Sequence, residues 1–231
     1  MNELVKYESF KEGYCIITLQ NGKANAISPE VLDGLNAAFD AAEKANEVVI
    51  LTGTEGMFSG GYDLKIMQKD LDSAKALVTK GSTFALRMSS FKLPIITACS
   101  GHAIAKGGFM LLSSDYRIGV EGDFKIGLNE VLIGMTMHHA GIQIARNRLS
   151  PVYLERSVNN AELYNPSSAV TAGFLDLVVP PAALMPTAIK VATMFTQLNL
   201  VAHGRTKLKL RAENNKALED AIQRDLNEGI H

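Results

Sequence analysis

The stretch that most constrains the fold covers residues 93–113, where a predicted strand, a glycine-rich bend and a predicted helix follow one another. The strand-like run LPIITAC leads into SGHAIAKGG, and the apolar run FMLL continues as a helix. Glycine lets the backbone bend and lets a ligand approach it closely. A helix that starts at such a bend points unpaired N–H groups and its positive dipole end into it. The stretch therefore predicts a site for a partly negative oxygen, on a phosphate or a polarised carbonyl.

A second stretch, residues 47–64, has the same pattern. The buried-strand sequence EVVILT leads into GTEGMFSGGYDL, and a further helix is predicted after it. Two such bends could place two backbone donors on one oxygen. Alternatively, the pairs Gly60-Gly61 and Gly107-Gly108 serve only close packing of helix on strand. Neither bend has the glycine spacing of a dinucleotide fingerprint or the GK[ST] of a P-loop, which argues against nucleotide phosphates.

The rest of the chain alternates strand-like and helix-like segments, which is typical of the α/β class. Ser28 and Pro29 predict a helix start, as N-cap and first helical residue. Strands are predicted at residues 4–10, 14–19, 48–51, 95–99, 116–120 and 174–179. Helices are predicted at residues 29–45, 70–91, 107–113, 140–149, 151–159, 166–172, 182–198 and 205–227.

Length and charge limit the class of protein. A chain of 231 residues predicts one large domain, or one domain with a small appendage. The 23 Lys and Arg nearly balance the 24 Asp and Glu, so nothing in the overall charge indicates a nucleic-acid or anionic-membrane partner. Two cysteines in strand-like runs, Cys15 and Cys99, fit a reduced intracellular protein. We expect a cytoplasmic protein without a signal peptide or a transmembrane helix.

Glu130 is the sharpest single candidate for chemistry. It lies in the apolar sequence IGLNEVLIG at residues 126–134. Apolar surroundings disfavour the charged carboxylate and raise its pKa, which suits a general base near neutral pH. The alternative is a structural glutamate that caps a helix or pairs with Arg117 or Arg146. Local sequence alone does not separate these two interpretations.

Other kinds of chemistry have little support in the sequence. Adjacent residues such as His138 and His139 do not face the same way on a helix, and His102 stands alone, so no metal site is predicted. Ser59 occurs in FSGG without the GxSxG pattern of an activated serine, so acyl-enzyme chemistry is not predicted either.

Four ordered motifs resemble the crotonase superfamily of enoyl-CoA hydratases and isomerases. The motif FSGGYDL at residues 58–64 resembles the family's FxxGxDL element, and SGHA at residues 100–103, continued to SDYRI at 114–118, resembles its second glycine element. The motif IGLNE at residues 126–130 resembles its third, and AVTAGFLDLVV at residues 169–179 resembles its AxxxGxVDxVV segment. Order and spacing agree over residues 5–180.

The resemblance implies a fold and a ligand. The fold is a spiral of ββα turns over residues 1–180, followed by a helical region over residues 181–231 that helps to build a homotrimer or a dimer of trimers. The ligand is an acyl-CoA thioester, so coenzyme A enters as part of the substrate and no separate cofactor is expected. By position, the family's two oxyanion-binding amides fall on Tyr62 and Lys106.

The same resemblance implies the substrate contacts. Ala24 and Ala26, with Lys23, lie in the segment that lines the CoA groove of relatives. The remaining predicted substrate-binding residues are Gly60, Gly61, Asp63, Leu64, Gly107 and Phe109. Lys106 stands where the family usually has glycine, and residues 137–139 (MHH) replace a Pro-Gly type of turn. Lys207 and Lys209 could meet phosphates, but a solvated basic helix face is the favoured interpretation.

Phe109 indicates the type of reaction. Hydratases that resemble this chain carry two glutamates, and counting from Gly101 places the first of them at Phe109 and the second at Glu130. Moving a double bond needs a single base that takes a proton from C2 and returns it at C4. We therefore expect a Δ3,Δ2-enoyl-CoA isomerase, with a hydratase, another crotonase-type lyase or a non-catalytic acyl-CoA binder as alternatives.

Overall fold

The computed structural model describes residues 3–230, and within that range the chain forms ten strands. In chain order they are β1 (Val5–Phe10), β2 (Tyr14–Leu19), β3 (Val48–Thr52), β4 (Gly56–Ser59), β5 (Ile95–Cys99), β6 (Gly101–Ile104), β7 (Tyr116–Val120), β8 (Ile126–Gly127), β9 (Leu163–Tyr164) and β10 (Leu177–Val179).

Ten α-helices occupy the same described range. In chain order they are α1 (Pro29–Ala45), α2 (Leu64–Met67), α3 (Leu71–Ser90), α4 (Lys106–Ser113), α5 (His139–Arg146), α6 (Pro151–Val158), α7 (Pro166–Ala172), α8 (Leu184–Thr196), α9 (Leu200–Leu210) and α10 (Ala212–Glu228). Short 3-10 helices cover Val131–Ile133 and Pro181–Ala183. No helix in this range is both long and apolar enough to cross a membrane.

The strands form two sheets that the chain visits alternately. The six-stranded sheet has the order β1-β2-β3-β5-β7-β10, and the four-stranded sheet has the order β4-β6-β8-β9. From β3 onward, each turn of chain adds one strand to the first sheet, one parallel strand to the second sheet and then helix. The pairs β3–β4, β5–β6 and β7–β8 are three such turns. The predicted α/β spiral of ββα turns is therefore confirmed.

Strand β3 shows how the sheet separates two layers of core. Its side chains alternate between the faces of the sheet, as in any strand. Val49 and Leu51 belong to the main core with α1, α3 and α4, whereas Val48 and Ile50 pack in a second cluster that includes residues of α8. All five residues of β3 are buried, which explains why its sequence is continuously apolar.

The C-terminal part differs from the predicted pattern. Residues 205–227 were expected to form one helix, but the chain forms α9 and α10 with a break at Arg211. The guanidinium of Arg211 donates to Asp115 (2.7 Å) and to the Ser89 carbonyl (3.1 Å), and these tertiary bonds hold the chain at the break. The local helical pattern does not show partners so distant in the chain, so the break could not be predicted from it.

Lys207 also departs from expectation. The prediction of a solvated basic face is wrong at this residue, which is 5% exposed. Its ammonium group donates to Asp115 (2.6 Å) and to the Leu93 carbonyl (3.3 Å), so it ties α9 to the start of β5. Lys209 is exposed, as predicted.

Candidate functional site

A cavity of about 110 Å³ lies where the two predicted bends meet the segment around Glu130. Of the predicted site residues, Gly60, Tyr62, Leu64 and Glu130 border it. Larger hollows of about 480 and 600 Å³ open elsewhere, but neither is lined by Glu130 or by the glycine pairs Gly60-Gly61 and Gly107-Gly108. The small cavity is therefore the candidate site for the predicted chemistry.

The first bend exposes the backbone amide of Tyr62. Ile27 bridges this segment by donating its N–H to the Gly61 carbonyl (2.8 Å) and by accepting from the Asp63 N–H (3.0 Å). In such a parallel bridge the middle residue turns its own N–H away from the partner strand. Within residues 3–230 no hydrogen bond uses the Tyr62 N–H, so the amide is free to bind a ligand.

The second bend exposes the amide of Lys106. The Ala105 N–H donates to the Gly127 carbonyl (3.0 Å), and α4 begins at the next residue. The first N–H groups of a helix have no partner inside it, and no acceptor in the described chain takes up that of Lys106. Ala105 adopts φ 51° and ψ −115°, a conformation that side chains disfavour by about 1–3 kcal/mol. Strain of this kind is common at binding sites.

The two bends touch each other at Gly61. A Cβ atom placed on Gly61 would lie 2.9 Å from the Cβ of Ala105 and 3.6 Å from the amide nitrogen of Lys106. Gly61 also has φ +102°, which favours glycine. Glycine at this position therefore lets the two unpaired amides come together, as the paired pattern of bends predicts.

Glu130 is buried beside these bends. The residue is 5% exposed, and within the described chain its Oε2 atom has no hydrogen-bond partner. Burial raises its pKa from 4.5 to about 7, against an opposing effect of its hydrogen bond with backbone. The shift has the direction that the apolar sequence around Glu130 predicts, and its main cause is burial.

Glu130 neither caps a helix nor pairs with Arg117, the structural roles considered as alternatives. The residue precedes a 3-10 helix, but its side chain makes no capping hydrogen bond. Arg117 instead pairs with Asp176, with 2.6 Å between Nη2 and Oδ1. A buried carboxyl without a cation or a cap is the arrangement expected of a base that waits for a substrate.

His138 and Asn129 complete the polar lining, and neither was predicted to be a site residue. His138 is 8% exposed, and its pKa falls to about 3 because of burial and then the charges of Lys106 and His139, so the imidazole is neutral. The Oδ1 atom of Asn129 is buried without a partner in the described chain. The adjacent histidines at 138 and 139 were the only signal in the sequence. Local sequence does not show which of the two side chains points into the cavity.

Phe109 lies behind His138 rather than on the cavity surface. It is 1% exposed, and its ring meets the His138 imidazole edge-on with 5.5 Å between ring centroids. The position that the resemblance assigns to a second carboxylate is therefore occupied by an aromatic ring in the core. Leu64, Met67, Val78 and Ile133 make the remaining wall largely apolar.

Five other predicted substrate-binding residues do not border the cavity, and neither does Lys106, whose neighbour Ala105 does. The five are Ala24, Ala26, Gly61, Asp63 and Gly107. Asp63 caps α2 by accepting from the Lys65 N–H (2.9 Å). Ala24 accepts from the Gly60 N–H (2.8 Å), and a Cβ on Gly107 would lie 2.5 Å from the Ser59 carbonyl oxygen. In the chain alone, these residues support the bends from outside.

Metal ligation has no visible place at this site. Across the described range, no three His, Cys, Asp or Glu side chains are grouped so that they could hold a metal ion. The polar groups that border the cavity are a carboxyl, an amide side chain and a neutral imidazole.

The chain is similar to known proteins in both sequence and structure. The sequence model of the family described as enoyl-CoA hydratase/isomerase matches residues 9–228. A solved structure of an enoyl-CoA hydratase/isomerase family protein from Pseudomonas syringae is 52% identical, with TM-score 0.97 and 99% of each chain covered. The apo structure of an enoyl-CoA isomerase from Mycobacterium tuberculosis is 34% identical, with TM-score 0.93, and covers 99% of this chain and 100% of that one.

Curated relatives match over shorter shares of their length. A protein of Bacillus subtilis named probable enoyl-CoA hydratase is 33% identical over 132 residues, which is 55% of this chain and 51% of that protein. The chain spans 25–27% of three plant multifunctional proteins of fatty acid β-oxidation. The names therefore include both a hydratase and an isomerase.

The buried carboxyl makes stability depend on pH. The pKa of Glu130 is higher in the folded chain than in the unfolded chain, so folding is penalised once the group must ionise. The penalty is absent below pH 4.5, grows between pH 4.5 and 7, and reaches about 3 kcal/mol above pH 7. Glu130→Gln should therefore be more stable than the wild type at pH 8.5 and differ little at pH 4.5, as measured by urea unfolding.

The exposed Glu121 provides a matched control for this measurement. Glu121→Gln should change the unfolding free energy by less than about 0.5 kcal/mol at both pH values, as surface changes usually do. Equal stability of the wild type and Glu130→Gln at pH 8.5 would contradict the raised pKa.

Proposed function

Because the chain belongs to the enoyl-CoA hydratase/isomerase family of the crotonase superfamily, we propose that it removes a proton next to the carbonyl of an acyl-CoA thioester. One observation carries this proposal. The buried carboxyl of Glu130, with an unpaired oxygen, borders the same cavity as two touching bends whose amides are also unpaired. This combination offers a base and an oxyanion site together.

The two amides have a specific task in this reaction. Removal of the C2 proton moves charge onto the thioester oxygen and gives an enolate. Preorganised donors aimed at that oxygen stabilise the developing charge, and each contributes about 3–4 kcal/mol. We assign the donors to the backbone N–H groups of Tyr62 and Lys106. A backbone donor is fixed by the fold, so it needs no reorganisation during the reaction.

Isomerisation of a 3-enoyl-CoA is the favoured reaction. Glu130 would take the proton from C2 and return it at C4, so one carboxyl completes the cycle. Among the described residues, Glu130 is the only carboxylate that borders the cavity, and Phe109 occupies the position of the second glutamate. The apolar wall also disfavours a bound water, which hydration requires.

The second candidate is a hydratase, and His138 is the observation that favours it. A neutral imidazole in the cavity wall can hold a water through one nitrogen, and a relative from Mycobacterium marinum that is named an enoyl-CoA hydratase shares the fold. A different lyase or a non-catalytic acyl-CoA binder is less well supported, because a buried, unpaired carboxyl costs stability without serving binding.

The rest of the substrate would leave the cavity on its exposed side. We propose that the coenzyme A portion passes Ala24 and Ala26, next to the first bend, and that Leu64, which is 57% exposed, meets the ligand at the rim. The group is part of the substrate, so the proposed reaction uses no separate cofactor.

The base assignment is tested by Glu130→Gln, which keeps the shape of the side chain and removes the base. Isomerisation of 3-hexenoyl-CoA should fall by at least about 1,000-fold, while binding of the product should change by less than about threefold. Hydration of crotonyl-CoA, measured in parallel, should be slower than isomerisation in the wild type. A variant that keeps its rate would refute the assignment, and faster hydration would favour the second candidate.

Activity should also depend on pH through the same carboxyl. The base works only when ionised, so kcat/KM should rise with pH and level off above the Glu130 pKa of about 7. A profile that is flat from pH 5.5 to 8.5 would contradict this role. Tyr62 does not interfere in this window, because burial first and the charge of Glu130 second raise the pKa of its phenol far above 10.

We further propose that the chain assembles as a trimer or as a dimer of trimers. Met194, Leu198, Val201 and Leu210 are exposed along α8, α9 and the link between them, where large apolar side chains indicate a partner surface. Light scattering should give three or six times the 24.9 kDa chain mass, about 75 or about 150 kDa. Val201→Asp combined with Leu210→Asp should lower that mass, and a wild-type mass of one chain would contradict the proposal.

A further inference from the structure

The side chain of Lys106 is buried behind the bend that carries its amide. The residue is 0% exposed, and its ammonium nitrogen donates to the Gly81 carbonyl of helix α3 over 2.6 Å. Burial lowers its pKa from 10.5 to about 7. A long, polar side chain kept in the interior at this cost calls for a reason beyond packing.

The side chain of Tyr62 reaches the same turn of α3. Its phenol hydroxyl donates to the Val78 carbonyl over 3.4 Å. A Cβ atom on Gly81 would lie 2.1 Å from that hydroxyl oxygen, so the ring rests directly on the glycine. The two residues with free amides therefore both attach their side chains to residues 78–81.

This shared attachment links the spacing of the two amides to one rigid turn. Tyr62 and Lys106 come from different ββα turns and lie 44 positions apart in the chain. The pairing of β4 with β6 and the contacts at Gly61 and Gly107 join the bends, and the side-chain attachments to α3 act directly on the two residues that carry the amides. Helix α3 packs against α4 and α10, so it forms a firm support for both side chains. A shift of about 1 Å at such a site can cost about 100-fold in rate.

We propose that the Lys106 side chain is a positioning residue, which holds the amide of Lys106 in register with that of Tyr62 by bonding to Gly81. The inference rests on the proposed function, since it assumes that both amides bind the thioester oxygen. Lys106 thus has two separate parts: its amide contacts the substrate oxygen, and its ammonium group fixes where that amide lies.

Lys106→Met separates these parts, because methionine keeps the backbone amide and most of the apolar length. We expect kcat to fall about 10- to 100-fold while KM changes by less than about threefold. We also expect the urea midpoint to stay the same or rise, because a buried amine has been removed. A merely structural lysine predicts the reverse: activity and stability would fall together.

Lys207→Met is the matched control. Lys207 is also a buried lysine bonded to a backbone carbonyl, but it lies in α9 and bonds to Leu93 and Asp115, outside both bends. Its loss leaves Asp115 with only one of its two cation partners, so this variant should lose stability and keep kcat within about threefold.

A spectroscopic readout tests the geometry directly. In the Glu130→Gln background, which does not turn over, a bound acyl-CoA with a ¹³C-labelled thioester carbonyl is measured by infrared difference. Two aligned donors should lower the carbonyl stretch relative to the free ligand, and Lys106→Met should reduce that shift by about half. Gly81→Ala, which displaces the Tyr62 ring and leaves the lysine in place, should do the same, and it serves if Lys106→Met does not fold.

The outcomes distinguish failure of the oxyanion site from failure of the positioning role of Lys106. If the carbonyl stretch is not lowered even with Lys106 present, the oxyanion site itself is refuted. If it is lowered equally with lysine and with methionine, or if kcat is unchanged by Lys106→Met, the positioning role is refuted while the proposed function stands. A parallel loss of stability and activity in a Lys106→Met variant that still folds would also refute the positioning role, and so would an unchanged carbonyl shift in Gly81→Ala.

Discussion

The site depends on the close approach of two backbone bends. Gly61 and Ala105 come so near to each other that a methyl group on the glycine would overlap the alanine side chain. This contact can form only because β4 and β6 are parallel neighbours in the second sheet, which brings the ends of two successive ββα turns to the same edge. The third turn then adds the loop with Glu130 through the pairing of β6 with β8. Sheet order thus assembles three chain segments into one cavity.

Several features of the site oppose folding. Ala105 has a disfavoured backbone conformation, two amides and several side-chain atoms lack partners within the described chain, and the carboxyl of Glu130 is buried. Each of these costs free energy in the absence of a ligand. The large apolar core around α1, α3 and α4 offsets these costs and holds the strained segment in place. Binding a substrate that supplies the missing partners would recover part of the loss.

Much of the fold could be predicted from hydrophobic periodicity and local motifs. Three features could be predicted because each depends on neighbouring residues in the chain. They are the buried sequence of β3, the strand–bend–helix pattern before α4 and the apolar surroundings of Glu130. Contacts between segments that are distant in the chain could not be predicted from the sequence. The inward turn of His138, the break at Arg211 and the burial of Lys207 depend on partners far away in sequence. The roles of Lys106 and Tyr62 on α3 are of the same kind, since a glycine within a helix gives no sign of what rests on it.

The two free amides belong to the main chain, and this has a consequence for how the site can be examined and altered. Replacing Tyr62 or Lys106 by alanine leaves both backbone N–H groups in place. Alanine scanning would therefore not detect the two N–H groups, and it would measure only the loss of the side-chain contacts with α3. Exchange of a single amide for an ester linkage, by chemical synthesis, would remove one donor and keep every side chain. For the same reason, substitutions of the side chains around the cavity leave both unpaired N–H groups in the molecule.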